Sequence, residues 1–209
     1  IVNFTMPTTY NIHLPHDIKL VVFDLDGTLY QKKGLARRMF FNATKDWKRM
    51  LAERKTRRNL RGKYLPDENA FYNLFFQTMA GFCDLPPSEL KTWYFERYMP
   101  LMVTLIRKYH RPAQWLFDFI NICKENSVQL VVLSDYGHVA EKLHALGIDQ
   151  TLFDWVISAP ELGGLKPAPQ LLLQVLEKMK VTPTQCLVIG DREDTDGQMA
   201  QSVGALFQL

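Results

Sequence analysis

Four short polar clusters in the sequence stand at the ends of predicted elements and contain residue types that can perform chemistry. They are Asp24-Leu25-Asp26-Gly27-Thr28, Ser134-Asp135, Lys166 within GGLKP, and Asp191 with Asp196. Carboxylates can act as nucleophiles, general acids or metal ligands, and a nearby lysine can balance their charge. This combination favours a reaction at an anionic centre such as phosphorus.

A phosphomonoester supplies a consistent chemistry for these residues. Its hydrolysis requires a nucleophile, a proton donor for the leaving oxygen and positive charge near the phosphoryl oxygens. Asp24 is the candidate nucleophile. Its attack on phosphorus would divide one difficult displacement into two easier ones. Asp26 is the candidate general acid, which would later deprotonate the attacking water. Lys166 would balance charge, and the Ser134 hydroxyl with neighbouring N–H groups would hold the phosphoryl oxygens.

The acidic residues also predict a metal site. Two carboxylates that face a phosphate dianion would repel it, so the chemistry requires a divalent cation. Asp24, Asp191 and a backbone carbonyl are oxygen ligands of the kind that Mg²⁺ prefers. We therefore predict Mg²⁺ as the cofactor and a small phosphorylated molecule as the substrate.

The elements that must position these clusters follow from the hydrophobic pattern. Short apolar runs predict strands at 19–23, 129–134, 155–158, 186–190 and 205–209, with amphipathic helices between the last four. Continuous apolar strands separated by helices are typical of an α/β fold with a parallel sheet covered on both faces. In such sheets, ligands bind at the carboxyl ends of the strands, where the four clusters lie.

Residues from about 34 to 109 have a different character, rich in arginine, lysine, aromatic residues and methionine. Their apolar positions recur at helical spacing, and this predicts an all-helical insertion. Pro66-Asp67 is expected to open one helix, and Pro100 is expected to break or bend the helix that spans 88–109. Pro112 suits the first position of the following helix.

The four clusters, in this order, resemble the signature of the haloacid dehalogenase-like hydrolase superfamily. The matching segments are VVFDLDGTLY, VVLSDYG, GGLKPAP and VIGDREDTD. The resemblance covers 19–209 and implies the phosphatase branch of the superfamily. It implies a Rossmann-like core formed by 1–31 and 111–209, in which 1–17 is an irregular arm, and a helical C1-type cap at 32–110.

The resemblance also implies a role for each matching residue. The implied roles are nucleophile for Asp24, acid/base for Asp26, phosphate ligand for Ser134, charge balance for Lys166, and metal site for Asp191 and Asp196. Asp26 would also give its backbone carbonyl to the metal. Thr28 either touches the substrate or caps the turn, and Asp194 competes with Asp196 for the metal. Asp135 stands where the superfamily often has asparagine, and its N–H is available to phosphate.

The charge is unevenly distributed along the chain. Residues 32–63 contain thirteen lysines and arginines against two acidic residues, so this run carries +11, whereas the whole chain carries +3. The run is either a solvated helical face or a surface that draws anionic substrates toward the site. Aromatic residues near the run could stack on the bases of a nucleic acid, but no recognised nucleic-acid motif accompanies them.

The remaining features limit the compartment and the function classes. Three widely spaced cysteines favour a reducing cytoplasm, and no apolar run approaches the roughly 20 residues of a membrane span or forms a signal peptide. Asp26 argues against a dehalogenase and against a phosphonate hydrolase. A phosphosugar mutase would use the same residues, and a non-catalytic protein that binds nucleic acid through the basic run is the alternative from another class. The oligomeric state stays open.

Overall fold

The computed structural model of the protein describes residues 12–209, and its centre is a five-stranded parallel sheet. The strands in this part of the chain are β1 (Leu20–Phe23), β2 (Gln129–Ser134), β3 (Trp155–Ser158), β4 (Cys186–Ile189) and β5 (Leu206–Gln208). Their spatial order is β3-β2-β1-β4-β5. The predicted strands at 129–134 and 155–158 are confirmed in full, and the other three are shorter by one or two residues.

The register of the sheet places the strand ends at one edge. Phe23 at the end of β1 pairs with Val132 of β2 and with Ile189 of β4. Apart from Gln129 and Ser134 at the two ends of β2, these three strands consist of buried apolar residues, because helices cover both faces of the sheet. The polar residues that follow β1, β2 and β4 therefore emerge side by side.

The helices of the sheet layer alternate with its strands. They are α6 (Leu116–Glu125), α7 (Val139–Leu146), α8 (Pro169–Met179) and α9 (Gln198–Val203), numbered after five earlier helices described below. Val21 and Phe23 of β1 belong to one apolar cluster with α6 and α7, whereas Leu20 and Val22 belong to a second cluster with α8 and α9. Successive strand residues thus face opposite helical layers. This arrangement confirms the predicted α/β class.

The chain between β1 and α6 is helical, as predicted, and we call residues 35–109 the cap. Its helices are α1 (Leu35–Asn42), α2 (Trp47–Leu60), α3 (Glu68–Cys83), α4 (Pro87–Trp93) and α5 (Met99–Tyr109). Asp67 opens α3 by accepting the Ala70 N–H, in agreement with the prediction. The cap aromatics Phe71 and Phe75 share one apolar cluster with Phe23 of the sheet. None of the helices seen in residues 12–209 has both the length and the apolar character of a membrane span.

The division into a core of 1–31 and 111–209 and a cap of 32–110 stays a prediction, because that apolar cluster is continuous across it. Of the predicted arm at 1–17, residues 12–17 contain no helix or strand, and the earlier ones lie outside the described residues. One proline expectation is corrected. Pro112 does not begin a helix but pairs with Tyr30 in an isolated bridge.

At Pro100 the helical path continues without a break, and the predicted bend stays a prediction. The segment Tyr94–Tyr98 forms a π-helical turn that joins α4 to α5, and the Met99 N–H donates to the Tyr94 carbonyl five residues earlier. Proline has no N–H, so a regular α-helix would leave a carbonyl without its donor at this point. The wider turn accommodates the defect, and α5 resumes with Pro100 in its first turn.

A short backbone pairing fastens the cap to the loop that precedes α8. The Leu65 N–H donates to the Gly163 carbonyl at 2.8 Å, and the Leu165 N–H donates to the Lys63 carbonyl at 3.1 Å. Gly163 has a φ of 87°, and a Cβ at this position would overlap the Leu65 carbonyl oxygen. Only glycine therefore permits this close approach.

Gly163→Ala should destabilise the protein more than the matched change Gly147→Ala. Both glycines have left-handed φ angles, 87° and 75°, so alanine costs about 1–2 kcal/mol at either position. A Cβ meets nothing within 4 Å at Gly147. The overlap at Gly163 should add roughly 1–3 kcal/mol. Urea unfolding of both variants measures the difference, and equal losses would contradict the pairing described above.

Candidate active site

Lys166 connects three chain segments that are far apart in the sequence. Its Nζ donates to Asp24 Oδ1 at 2.6 Å and to Asp196 Oδ1 at 2.6 Å. A third hydrogen bond, of 3.1 Å, reaches the Leu133 carbonyl in β2. Although burial disfavours the charged form, the two carboxylates raise the pKa of Lys166 well above its usual value. The buried ammonium is therefore retained between two acids.

Asp24 lies directly after β1 and is held in one orientation. Its N–H donates to the Ile189 carbonyl at 2.8 Å, and its side-chain Oδ2 accepts the Thr28 hydroxyl at 3.2 Å. With Lys166 on Oδ1, each carboxylate oxygen has a donor. Burial raises the pKa of Asp24, an effect that the Lys166 ammonium opposes and the Asp196 carboxylate reinforces. Thr28 thus contacts the candidate nucleophile itself.

The residues present fit a divalent cation. Carboxylate oxygens of Asp24, Asp191 and Asp196 all lie within 4.8 Å of one another. Gly27 has a φ of 119°, and a Cβ there would overlap the Asp191 carboxylate, so glycine keeps this space open. An ammonium, that of Lys32, already lies 2.6 Å from Asp191 Oδ2. An all-oxygen set beside a stand-in cation suits a hard ion such as Mg²⁺.

Asp196 and Asp194 have different surroundings. Asp196 is 1% exposed and bonds Lys166. Asp194 is exposed and forms ion pairs with Arg192 and with Arg61 of the region that follows α2. The geometry agrees with the choice of Asp196 over Asp194 as the metal-site acid, and its role as a ligand stays a prediction.

Asp26 has its carboxylate turned toward three donors of the protein. Tyr30 donates to Oδ1 at 2.5 Å, while Ser134 at 3.0 Å and Lys142 at 2.8 Å donate to Oδ2. Burial alone would raise the pKa of Asp26, but the charge of Lys142 and the hydrogen bonds from Lys142, Tyr30 and Ser134 lower it. The Asp26 carboxylate is therefore ionised and fully engaged in this state.

Ser134 and Asp135 also contact protein groups. Ser134 Oγ accepts the Tyr136 N–H at 3.1 Å and donates to Asp26. Asp135 Oδ1 accepts the Lys166 N–H at 2.9 Å. The Asp135 carboxylate therefore helps to position the loop that carries Lys166. Phosphate binding by these residues, and by Thr28, stays a prediction.

The sequence analysis does not identify Lys142 as a residue of the site. Its side chain is fully buried in α7 and pairs with Asp26. Burial lowers the pKa of Lys142, although the Asp26 carboxylate opposes this effect. The spacing of the apolar residues in α7 could have indicated that Lys142 is buried. Positions 139, 142, 143 and 146 form one stripe along the helix, and Lys142 is the polar residue of that buried face.

Arg57 of α2 was also missed, since it lies within the basic run. Its guanidinium donates to the Asp135 carbonyl at 2.8 Å and to the Tyr94 hydroxyl at 2.6 Å, and it pairs with Glu53. Its Cζ lies 3.7 Å from the centre of the Tyr136 ring. Lys32, Arg49 and Arg61 of the run also form ion pairs. Part of the run is therefore structural, and several cations, such as those of Arg54, Lys55 and Arg58, are exposed.

Known proteins are similar to this chain over most of its length. It is 26% identical over 184 residues to the protein SUPPRESSOR OF QUENCHING 1, chloroplastic, from Arabidopsis thaliana, an alignment that covers 83% of this chain but only 16% of the plant protein. It is 28% identical over 196 residues to glyceraldehyde 3-phosphate phosphatase from Methanocaldococcus jannaschii, covering 90% of this chain and 83% of that protein.

Solved structures share the fold. The crystal structure of beta-phosphoglucomutase from Clostridium difficile superposes with a TM-score of 0.63 at 20% identity, over 91% of this chain and 83% of that one. In addition, residues 18–204 match the family described as haloacid dehalogenase-like hydrolase. Because this match spans β1 to β4, the cap and all four polar clusters, the chain belongs to the haloacid dehalogenase-like hydrolases.

Proposed function

We propose that the protein hydrolyses small phosphomonoesters with Mg²⁺ and forms a transient aspartyl-phosphate, an acyl phosphate, on Asp24. The observation that carries this proposal is the Lys166 ammonium at 2.6 Å from both Asp24 and Asp196, beside a third acid, Asp191. A carboxylate flanked by a fixed cation and a cation-binding acid cluster is suited to attack an anionic phosphorus centre.

The proposed reaction has two displacements. In the first, Asp24 Oδ attacks phosphorus, the bond to the substrate oxygen breaks, and the leaving oxygen takes a proton from Asp26. In the second, a water molecule loses a proton to Asp26 and attacks phosphorus, which releases phosphate and restores the Asp24 carboxylate. Lys166 offsets the charge of Asp24 throughout. Bound Mg²⁺, held by Asp24, Asp191, Asp196 and the Asp26 carbonyl, would supply charge neutralisation of the phosphoryl group.

Asp26 must change its contacts to serve as the proton donor. Its carboxylate accepts three hydrogen bonds and has a lowered pKa, so it holds no proton in the state described. A protonated Asp26 would have to give up one of the hydrogen bonds that its carboxylate accepts. Ser134 has the smallest side chain of the three donors, so we expect its hydrogen bond to be the one that is lost. A released Ser134 hydroxyl would then be free for a phosphoryl oxygen, which is the role predicted for it.

The substrate class is a small phosphorylated metabolite. Asp24 and Lys166 are only 7% and 2% exposed, and the cap residue Arg57 contacts the loop beside them at the Asp135 carbonyl. The archaeal relatives named as glyceraldehyde 3-phosphate phosphatases make that compound the first to assay, with phosphoglycolate, sugar phosphates and nucleotides. Formation of an isomerised phosphosugar without phosphate release would identify a mutase instead.

A reducing compartment such as the cytoplasm is part of the proposal, because all three cysteines are free thiols.

Asp24→Asn should abolish phosphate release from these substrates and from an aryl phosphate, because an amide oxygen is a poor nucleophile. Asp149→Asn is the matched control, since Asp149 caps an exposed 3₁₀ turn and asparagine can retain that role. We expect a loss of at least about 10³-fold in kcat for the first variant, consistent with removal of a nucleophile. Full activity of Asp24→Asn would refute the assignment.

Removal of divalent cations should abolish turnover reversibly. Treatment with EDTA would leave the acids around Asp24 without the charge that offsets an incoming phosphate dianion. Added Mg²⁺ should restore phosphate release in the wild type. In Asp191→Asn, restoration should require a higher Mg²⁺ concentration, since one ligand charge is lost. Undiminished turnover in EDTA would exclude the metal from the proposal.

Lys142→Met should cost about 3–5 kcal/mol of unfolding free energy, because the Asp26 carboxylate, only 12% exposed, would lose its cationic partner. Lys91→Met, at an exposed position of α4, should change stability by less than about 0.5 kcal/mol. Adding Asp26→Asn to Lys142→Met should recover part of the loss. Urea unfolding of the four proteins of this double-mutant cycle measures the coupling, and strictly additive losses would argue against the buried pair.

A further inference from the structure

Lys32 contacts two oxygens of the proposed metal site. Its Nζ donates to the Asp26 backbone carbonyl at 2.8 Å and lies 2.6 Å from Asp191 Oδ2. The Asp26 carbonyl and the Asp191 carboxylate are two of the groups assigned above to Mg²⁺. The ammonium and a divalent ion therefore require the same oxygens.

The backbone around Lys32 is shaped for a cation at this point. A Cβ on Gly27 would overlap the Asp191 carboxylate and would lie 2.9 Å from Lys32 Nζ. The absence of a side chain at Gly27 thus leaves a space bordered by oxygens, into which a positive group fits. Lys32 reaches it from the segment that leads from β1 to α1, six residues beyond Asp26.

Lys32 differs from the other two lysines that contact these acids. The side chains of Lys166 and Lys142 are 2% and 0% exposed, and each is enclosed by the fold. The Lys32 side chain is 45% exposed and its partner Asp191 is 26% exposed. Removing the Lys32 ammonium to water costs little, because an ion pair at this exposure contributes at most about 1 kcal/mol.

We propose that Lys32 is a displaceable internal counter-cation, which occupies the place of the divalent ion in the metal-free protein and is expelled when the metal binds. This inference rests on the proposed function for the identity of the metal ligands. Mg²⁺ binds oxygen at about 2.0–2.1 Å, and its charge would repel an ammonium held by the same two oxygens. Metal affinity is therefore reduced by competition, and the released ammonium lies at the mouth of the site.

Metal binding to variants tests the competition directly. The metal-stripped protein would be titrated with Mn²⁺ and followed by electron paramagnetic resonance, and titrated with Mg²⁺ and followed by calorimetry. Lys32→Met should bind either ion about three- to fivefold more tightly than the matched control Lys33→Met, which removes the same charge from the exposed neighbour. Lys32→Arg retains a competing cation and should not share this gain. Equal affinities of Lys32→Met and Lys33→Met would overturn the inference.

Amine labelling of the wild type tests the displacement without a mutation. Reductive methylation should modify Lys32 more slowly than Lys33 in the metal-free protein, because its ammonium is engaged. Saturating Mg²⁺ should raise the Lys32 rate severalfold and leave the Lys33 rate unchanged, as measured by fragmentation mass spectrometry. A Lys32 rate that does not respond to Mg²⁺ would contradict the expulsion of the ammonium.

Asp191→Asn separates this inference from the proposed function. If neither the wild type nor any variant binds Mn²⁺ or Mg²⁺, the metal site itself is refuted. If the wild type binds metal, Asp191→Asn weakens that binding, and Lys32→Met matches Lys33→Met, the metal site stands and the role of Lys32 is refuted. Tighter binding by Lys32→Met together with faster labelling supports both.

Discussion

Compensation of clustered negative charge by buried ammonium groups is the constraint on which this structure depends. Asp24 and Asp196 are nearly buried and would repel each other without the Lys166 ammonium between them. Asp26, two residues from the nucleophile, has a separate buried cation in Lys142. Unpaired charges in such surroundings cost several kcal/mol each, so the acids and their cations must be understood as one unit.

The parallel sheet explains how such distant residues reach one place. β1, β2 and β4 are neighbours in register, so their carboxyl ends present Asp24, Ser134 and the segment leading to Asp191 at a single edge. Apolar side chains on both faces of the sheet hold this edge in position. The chemistry therefore depends on the alternation of Val, Leu and Phe along the strands as much as on the polar residues themselves.

The sequence permits prediction of the sheet and of the acidic cluster, because buried parallel strands are continuous apolar runs and the clusters stand at their ends. It does not reveal partners chosen by tertiary packing. The pairing of Asp26 with Lys142, 116 residues away, depends on how α7 lies on the sheet. The contacts of Arg57 and Lys32 could not be predicted, because nothing in the sequence distinguishes these two residues from the other cations of the basic run. Pro100 indicates a local defect in the helix, but the sequence does not show that a π-helical turn, and not a break, accommodates it.

The backbone pairing between residues 63–65 and 163–165 joins the end of α2 to the loop that carries Lys166. Lys166 follows this pairing immediately, and α2 precedes it by only a few residues. If α2 swings away from the sheet, it must either break the two hydrogen bonds or drag the lysine loop with it. The position of α2 and the position of the cation that restrains Asp24 are thus coupled through this pairing, which acts together with the contact of Arg57 to the Asp135 carbonyl.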